Sequence, residues 1–165
     1  MRFFENCSRI LSVSELDATD RNILTLLQGD GRLSNTELAA RINRSESACL
    51  RRVRRLETEG VIEATVALLS QARIGLPVNI FVEITLAGQN EDIQNAFEEA
   101  VRPSAEIMTC YLMSGDADYL LQVVAADTAD FERIHKTILS RLPGVARIRS
   151  SFALREVSKK TAFDL

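Results

Sequence analysis

Arginine is concentrated in one short stretch of this 165-residue chain. Six arginines and a single glutamate lie between Arg41 and Arg55, although the whole chain carries a formal net charge of −3. A guanidinium group presents several N–H donors in a plane, which suits phosphate oxygens and the acceptor edge of guanine. Because the chain as a whole is acidic, this local excess of positive charge predicts a focused surface that binds double-stranded DNA.

Other kinds of site chemistry have little support. Cys7, Cys49 and Cys110 are far apart, and His135 is the only histidine, so the pattern favours neither a disulfide framework nor a zinc site. No phosphate-cradling G-x-x-x-x-G-K-[ST] motif and no pairing of a nucleophile with a base is evident. We therefore expect neither enzyme activity nor a cofactor.

The sequence also predicts a soluble, cytoplasmic protein. No apolar run approaches the roughly 20 residues that a membrane-spanning helix needs. Arg2, Glu5 and Arg9 fall where a signal peptide would need an uninterrupted apolar core. Hydrophobic residues make up 46% of the chain, which is enough to build buried cores.

Three short helices are predicted in the N-terminal half. Asp17 can cap the first, which stops at Gly29-Asp30-Gly31. Ser34-Asn35-Thr36-Glu37 matches a capping box and begins the second. Ser45 can cap the third, which runs to about residue 59 and ends at Gly60. Three short helices with a tight turn are typical of a helix-turn-helix, in which the N-terminal part of the last helix enters the major groove.

The third helix is amphipathic, with its arginines away from the apolar stripe of Cys49, Val53 and Leu56. A solvated charged face is the opposite possibility, but such a face normally mixes both signs of charge. The predicted base-reading residues are Ser47, Ala48, Arg51 and Arg52, and the predicted phosphate contacts are Arg44, Arg54 and Arg55. The full set predicted to contact DNA is Ser34, Asn35, Thr36, Arg44, Ser45, Ser47, Ala48, Arg51, Arg52, Arg54 and Arg55. The segment from Val61 to Leu68 is predicted to form a hairpin or wing.

The pattern changes from helical to alternating after a linker over residues 70–77. The order of predicted elements is β-α-β-β-α-β, the ferredoxin-like repeat, in which four antiparallel strands carry two helices on one face. The predicted strands and helices are Asn79–Leu86, a helix capped by Asn90 and closed by Pro103, Glu106–Met113, Tyr119–Ala125, a helix that stops at Pro143-Gly144, and Val145–Val157. The second and third strands are apolar on both sides, so we expect the uncovered sheet face to mediate self-association, with a monomer as the alternative.

Four motifs in order carry a resemblance to the Lrp/AsnC family of feast/famine transcription regulators over residues 15–157. They are Asp20-Arg21-Asn22-Ile23-Leu24, Cys49 to Glu57 followed by Gly60-Val61-Ile62, Ser114-Gly115-Asp116-Ala117-Asp118-Tyr119-Leu120-Leu121, and Leu142-Pro143-Gly144-Val145. The resemblance implies an α+β protein in which a winged helix-turn-helix is joined to a ferredoxin-like βαββαβ (RAM-type) domain that binds amino acids and forms dimers. Dimers of this family assemble further, to tetramers or octamers. The expected domains are an N-terminal extension (1–14), the DNA-binding domain (15–69), the linker (70–77), the ligand-binding and oligomerisation domain (78–157) and a C-terminal tail (158–165).

The resemblance also implies where an amino-acid effector binds. Its site would be the turn after the second strand together with part of the last strand, between neighbouring protomers. The residues implied are Leu112, Met113, Ser114, Gly115, Asp116, Asp118, Tyr119, Ser150 and Ser151. An ammonium group would suit Asp116 or Asp118, and a carboxylate would suit backbone N–H groups near Gly115. Without the family match, Gly-Asp-x-Asp would be an ordinary hairpin turn.

One motif departs from the family. Members commonly begin the recognition helix with Ser-Pro-Thr-Pro-Cys, whereas this chain has Ser45-Glu46-Ser47-Ala48-Cys49. Because a glutamate beside DNA repels phosphates or accepts from cytosine, the preferred operator is expected to differ. The segment from Ser150 to Ala162 is similar to members tied to branched-chain amino-acid catabolism, which favours leucine, valine or isoleucine as effector.

Three functions remain open at this point. The leading one is a sequence-specific DNA-binding regulator that responds to a small amino acid. The alternative is a nucleoid-type architectural protein of low specificity, which would show a steep salt dependence and little discrimination. A ferredoxin-like enzyme with a fused DNA-binding domain is disfavoured, because His135 lies beside an apolar helical stripe and has no catalytic partner in the pattern.

Overall fold

A computed structural model describes residues 16–165; the predicted extension 1–14 lies outside the described residues. The chain divides into two compact units. One contains residues 16–67 together with Ser158–Leu165, and the other is Leu68–Val157. None of the helices in the described part of the chain is long and apolar enough to cross a membrane.

The N-terminal unit contains three helices: α1 (Ala18–Gly29), α2 (Asn35–Arg41) and α3 (Glu46–Thr58). Each begins at a side-chain cap that the sequence predicted, because a side-chain oxygen accepts an otherwise unpaired backbone N–H. Asp17, Ser34 and Ser45 fill these positions, and the first two form complete capping boxes. The predicted helices are therefore confirmed at their starts.

The three helices pack around two small apolar clusters. One is formed by Ile23, Leu24 and Leu56, and the other by Leu38, Ala39 and Cys49. Cys49 and Leu56 have no exposed surface, as the predicted inward stripe of α3 requires. The turn before α3 places Asn43 in the left-handed region, with φ of 52°, a conformation that asparagine tolerates better than most residues. This turn sets the direction in which α3 leaves α2.

The predicted hairpin from Val61 to Leu68 is wrong for the single chain, because residues 61–69 form no strand. Val66, Leu68 and Leu69 are each about two-thirds exposed or more. A strand forms only when its backbone N–H and C=O groups find a partner strand. The segment makes no such pairing with the described residues.

The second unit is a four-stranded antiparallel sheet with helices on one face. Its strands are β1 (Val78–Leu86), β2 (Ile107–Leu112), β3 (Tyr119–Ala125) and β4 (Val145–Phe152), in the spatial order β2-β3-β1-β4. The helices are α4 (Glu91–Val101), which follows β1, and α5 (Thr128–Thr137), which follows β3; a 3₁₀ turn over Leu139–Arg141 ends the second connection. This order is that of the predicted ferredoxin-like repeat. β4 is shorter than predicted, and residues 153–157 form no strand.

The core of this unit lies between the sheet and its helices. β1 contributes Ile80, Val82 and Ile84, and α4 contributes Phe97, all with no exposed surface. On the opposite face, Phe81 is 41% exposed and Tyr111 is 58% exposed. The uncovered sheet face is therefore partly apolar, as predicted.

The C-terminal tail lies in the first unit. The side-chain amide of Gln28, near the end of α1, donates to the Phe163 carbonyl and accepts from the Phe163 N–H, at 3.2 and 2.7 Å. These two bonds use only the backbone of the tail. Phe163 keeps 81% of its surface exposed.

Candidate nucleic-acid and effector sites

Two acidic residues at the start of α1 bind the arginines of α3. Asp20 is 1% exposed and accepts from Arg52 Nη1 at 2.8 Å and from Arg55 Nη2 at 2.6 Å. Arg52 Nη1 also donates to Asp17 Oδ2 at 2.7 Å. The pKa of Asp17 lies below its ordinary value, because its side chain accepts from the Asp20 N–H and then from Arg52. This cluster of carboxylates and guanidinium groups joins α1 to α3.

The cluster corrects two predicted DNA contacts. Arg52 was predicted to read base edges and Arg55 to hold a phosphate, but both guanidinium groups are bound to Asp20. Sequence periodicity placed Arg55 on the free face because it could not show that α1 packs beside it. The signal that pointed to Asp20 was the family motif beginning at that residue, which carried no indication of its partners.

The remaining arginines of this region point into solvent. Arg44, Arg51 and Arg54 are exposed, and none of them forms an ion pair with a residue between positions 16 and 165. Arg51 lies in the second turn of α3, and Ser47 lies in the first turn and is also exposed. Exposed donors in the first two turns have the position that a recognition helix uses to reach base edges.

The other predicted contacts lie at the starts of α2 and α3. Ser34 and Thr36 are exposed, whereas Asn35 and Ala48 are half-buried. Ser34 Oγ accepts from the Glu37 N–H at 3.3 Å, and its hydroxyl lies 2.7 Å from Glu37 Oε2. The hydroxyl of Ser45 caps α3 through the Ala48 N–H. Both serines therefore have a structural role in ending the helices toward solvent.

The predicted effector turn joins β2 to β3 in the second unit. Met113, Ser114, Gly115 and Asp116 are all exposed, so their side chains and backbone are open to a ligand. Nothing lies within 4 Å of the position that a Cβ on Gly115 would take. The turn is closed at its base by the Met113 N–H, which donates to the Asp118 carbonyl at 2.9 Å.

Asp118 is occupied by contacts within the fold. Its carboxylate accepts from the Leu86 N–H at 2.8 Å and from the Gln89 side chain at 3.0 Å, and the residue is 8% exposed. These bonds tie the turn to the end of β1. Of the two carboxylates considered for an ammonium group, only Asp116 is exposed in this unit.

Tyr119 faces the helical layer. It is 1% exposed, its ring lies 4.5 Å from that of Phe97, and its hydroxyl donates to Glu98 Oε1 at 2.9 Å. Burial, and then the bond to Glu98, raise the pKa of the Tyr119 hydroxyl, so it remains a donor. Leu112 is opposite Tyr119 at the end of β2 and is exposed.

Ser150 and Ser151 are separated from the turn by β1. Ser150 is paired with Val82 and Ser151 with Phe81, so consecutive residues point to opposite faces of the sheet. The turn follows β2, on the other side of β1 in the order β2-β3-β1-β4. One protomer therefore does not bring the two predicted halves of the effector site together.

The described residues suggest no metal chemistry. Between positions 16 and 165, no group of three or more His, Cys, Asp or Glu side chains is placed to hold a metal ion. His135 is half-buried beside Phe131, with the two rings 6.1 Å apart, and its Nδ1 lies 3.3 Å from the Ser140 hydroxyl. Its neighbours are those of a packed helical residue.

These features define a DNA-binding helix-turn-helix protein with a second, ferredoxin-like domain. Comparison with protein families matches residues 16–63 to a winged helix-turn-helix DNA-binding domain and residues 79–163 to the Lrp/AsnC ligand-binding domain. The chain belongs to the Lrp/AsnC family and is a DNA-binding transcription regulator.

Individual relatives agree over nearly the whole length. The Bkd operon transcriptional regulator of Pseudomonas aeruginosa is 41% identical over 150 residues, covering 91% of this chain and 98% of the relative. The leucine-responsive regulatory protein of Escherichia coli K12 is 43% identical over 145 residues, covering 88% of each. A transcriptional regulator of Neisseria meningitidis, solved with L-methionine, superposes with a TM-score of 0.84 at 36% identity, covering 90% of this chain and 96% of the other.

Proposed function

We propose that this protein binds specific DNA sequences as an oligomer of dimers and that a small amino acid, in particular a branched-chain one, changes its DNA binding. The observation that carries the DNA-binding half is the exposed start of α3, where Ser47 and Arg51 are open to solvent and α1 does not hold them. In this proposal Arg51 reads base edges, and Arg44 and Arg54 hold phosphates.

The amino-acid half is supported by relatives and by the turn. Solved structures of a Neisseria meningitidis regulator and of a feast or famine regulatory protein from M. tuberculosis contain L-methionine, and one relative is named leucine-responsive. In this chain, Asp116 would accept from the ligand ammonium, and backbone N–H groups around Gly115 would donate to its carboxylate. Ser150 and Ser151 would come from a neighbouring protomer.

Self-association is supported by the open sheet face. Phe81 and Tyr111 expose apolar surface there, flanked by the exposed Arg149–Glu83 pair at 3.7 Å. Contiguous exposed apolar surface on a sheet is typical of an interface. A ligand bound between protomers shifts assembly only if its affinity differs between the two arrangements.

Gel shifts with the upstream region of its own gene test the DNA-binding half. Arg51→Ala should abolish discrimination between this DNA and a scrambled duplex, since one bidentate base contact contributes about 1–3 kcal/mol of discrimination. Arg149→Ala, which removes an equally exposed arginine from the other unit, is the matched control. Retained discrimination in Arg51→Ala would contradict the assigned role of α3.

A second titration tests the effector half. Leucine, isoleucine, valine and methionine are added to the wild-type complex with DNA, and to complexes of Asp116→Asn and of Glu132→Gln, an exposed acid on α5. We expect Asp116→Asn alone to lose the response. DNA binding and assembly that ignore every amino acid would overturn the effector proposal.

A further inference from the structure

A cavity lies between α4 and the edge of the sheet in the second unit. It measures about 230 Å³. The residues that line it are Glu98, Val101, Arg102, Cys110, Leu112 and Tyr119. All of them belong to one unit, so the site does not depend on a neighbouring protomer. Pockets for drug-sized ligands occupy roughly 300–1,000 Å³, so this one suits a smaller molecule.

The polar lining consists of one anion and one cation on the same side of α4. Glu98 Oε2 and Arg102 Nη2 are 3.6 Å apart, one helical turn from each other. The Tyr119 hydroxyl donates to the other Glu98 oxygen at 2.9 Å and so holds the carboxylate in place. The Arg102 side chain is 72% exposed and free to turn. An exposed ion pair of this kind contributes little to stability, so a ligand can replace it at small cost.

The apolar lining lies next to this pair. Val101 is buried, and Leu112 is exposed at the end of β2. Cys110 exposes a soft, polarisable sulfur beside them. A ligand that fits this wall has two opposite charges at one end and a short apolar group at the other.

We propose that this cavity binds a free α-amino acid with an aliphatic or thioether side chain, as a site additional to the β2–β3 turn. The ligand ammonium donates to Glu98, its carboxylate accepts from Arg102, and its side chain lies on Leu112 beside the Cys110 sulfur. The ammonium and carboxylate of an α-amino acid are carried by one carbon, so the ligand inserts between two groups that are already neighbours. The choice of ligand class rests on the proposed amino-acid response, whereas the site itself does not.

Alkylation of Cys110 reports occupancy of the cavity directly. The full-length protein is treated with N-ethylmaleimide at pH 8.5, and mass spectrometry of its peptides follows Cys110 separately from the other cysteines. Leucine or methionine at ten times its dissociation constant should slow the reaction about tenfold, because only the free site reacts. The analogues 4-methylpentanoate and 3-methylbutylamine, which each lack one charge, should protect much less at the same concentration.

Two variants and a control localise the effect. Glu98→Gln and Arg102→Gln should lose protection by leucine and methionine. Arg149→Gln, which breaks an exposed Arg–Glu pair on the opposite face of the sheet, should retain it. Melting temperatures measured without ligand establish that the variants are folded.

The outcomes separate this inference from the proposed function. Undiminished protection in Arg102→Gln, or no protection of Cys110 by any amino acid, overturns the cavity site even if amino acids still change DNA binding. Protection that depends on Arg102, in a protein whose DNA binding ignores amino acids, supports the cavity site and removes the proposed effector response.

Discussion

Asp20 controls which arginines of α3 are available to DNA. Its carboxylate binds Arg52 and Arg55, at 2.8 and 2.6 Å. We expect Asp20→Asn to release both guanidinium groups, while the amide oxygen still accepts the Asp17 N–H, which lies 3.3 Å from Asp20 Oδ2. The variant should bind non-specific DNA more tightly, and its ratio of specific to non-specific affinity should fall.

The size of the effect follows from counterion release. Each guanidinium that reaches a phosphate steepens the plot of log K against log salt by about 0.9, so two add up to about 2 per recognition helix. The fold should also lose stability. Asp20 is 1% exposed, but Arg52 and Arg55 keep 29% and 39% of their side chains exposed and can be hydrated. The loss should therefore be about 1.5–3 kcal/mol, the contribution of a charged hydrogen bond, rather than the roughly 3–5 kcal/mol of a fully buried pair.

Fluorescence anisotropy over a range of NaCl concentrations, with specific and scrambled duplexes, measures both quantities. Glu57→Gln is the matched control, because it removes the same charge from an exposed position on α3. A triple variant that adds Arg52→Gln and Arg55→Gln to Asp20→Asn should return the salt slope to the wild-type value. An Asp20→Asn protein with the wild-type slope and discrimination would refute the reasoning. So would an Arg52→Gln protein that loses discrimination as fully as Arg51→Ala, since Arg52 would then read DNA despite its carboxylate partners.

Three further predictions concern the second unit. Gly144→Ala should destabilise it by about 1–3 kcal/mol, because φ is 73° and the new Cβ would lie 2.6 Å from Ile93 Cγ2; thermal or urea unfolding measures this. Asp118→Ala should cost about 1–3 kcal/mol in the same assay, since it leaves the Leu86 N–H without its acceptor. Cys110 should react with maleimide about tenfold more slowly than an unperturbed thiol below pH 9. Loss of solvent around its sulfur raises the pKa to about 11 from 9.0, so the thiolate fraction falls roughly a hundredfold, partly offset by greater nucleophilicity.

Each of these predictions has an internal comparison. Gly29→Ala places a Cβ where nothing lies within 4 Å and should be nearly neutral, so equal losses at Gly29 and Gly144 would contradict the clash. Asp116→Ala changes an exposed aspartate in the same turn and should leave unfolding unaltered. For Cys110, a rate equal to that of a free cysteine at pH 8 would show that its sulfur is fully hydrated.

Local sequence patterns were sufficient for the secondary structure because the responsible forces are local. Helix starts at Asp17, Ser34, Ser45 and Asn90 were predicted from one capping side chain each, and all four caps are present. The limits of β4 were less certain, because a strand ends where its partner ends. Residues beyond Phe152 retain an alternating pattern but have no strand partner in the described chain.

Site residues were predicted less well than elements. The arginine pattern identified the right helix, yet the roles of Arg52 and Arg55 depend on Asp20, which lies 32 and 35 positions away. Glu98 and Arg102 gave no signal, since charged residues four apart are common on solvated helices. Their connection to Tyr119 appears only when α4 packs on the sheet.

The sequence by itself determined the family, the two domains' types, the helix caps and the concentration of positive charge on α3, because motifs, periodicity and charge are properties of neighbours along the chain. The tertiary structure decided which arginines face solvent, that Asp118 supports the turn, and that Glu98 and Arg102 share a cavity with Cys110. Those facts depend on which distant side chains approach within a few ångströms, and packing of one element against another sets that distance.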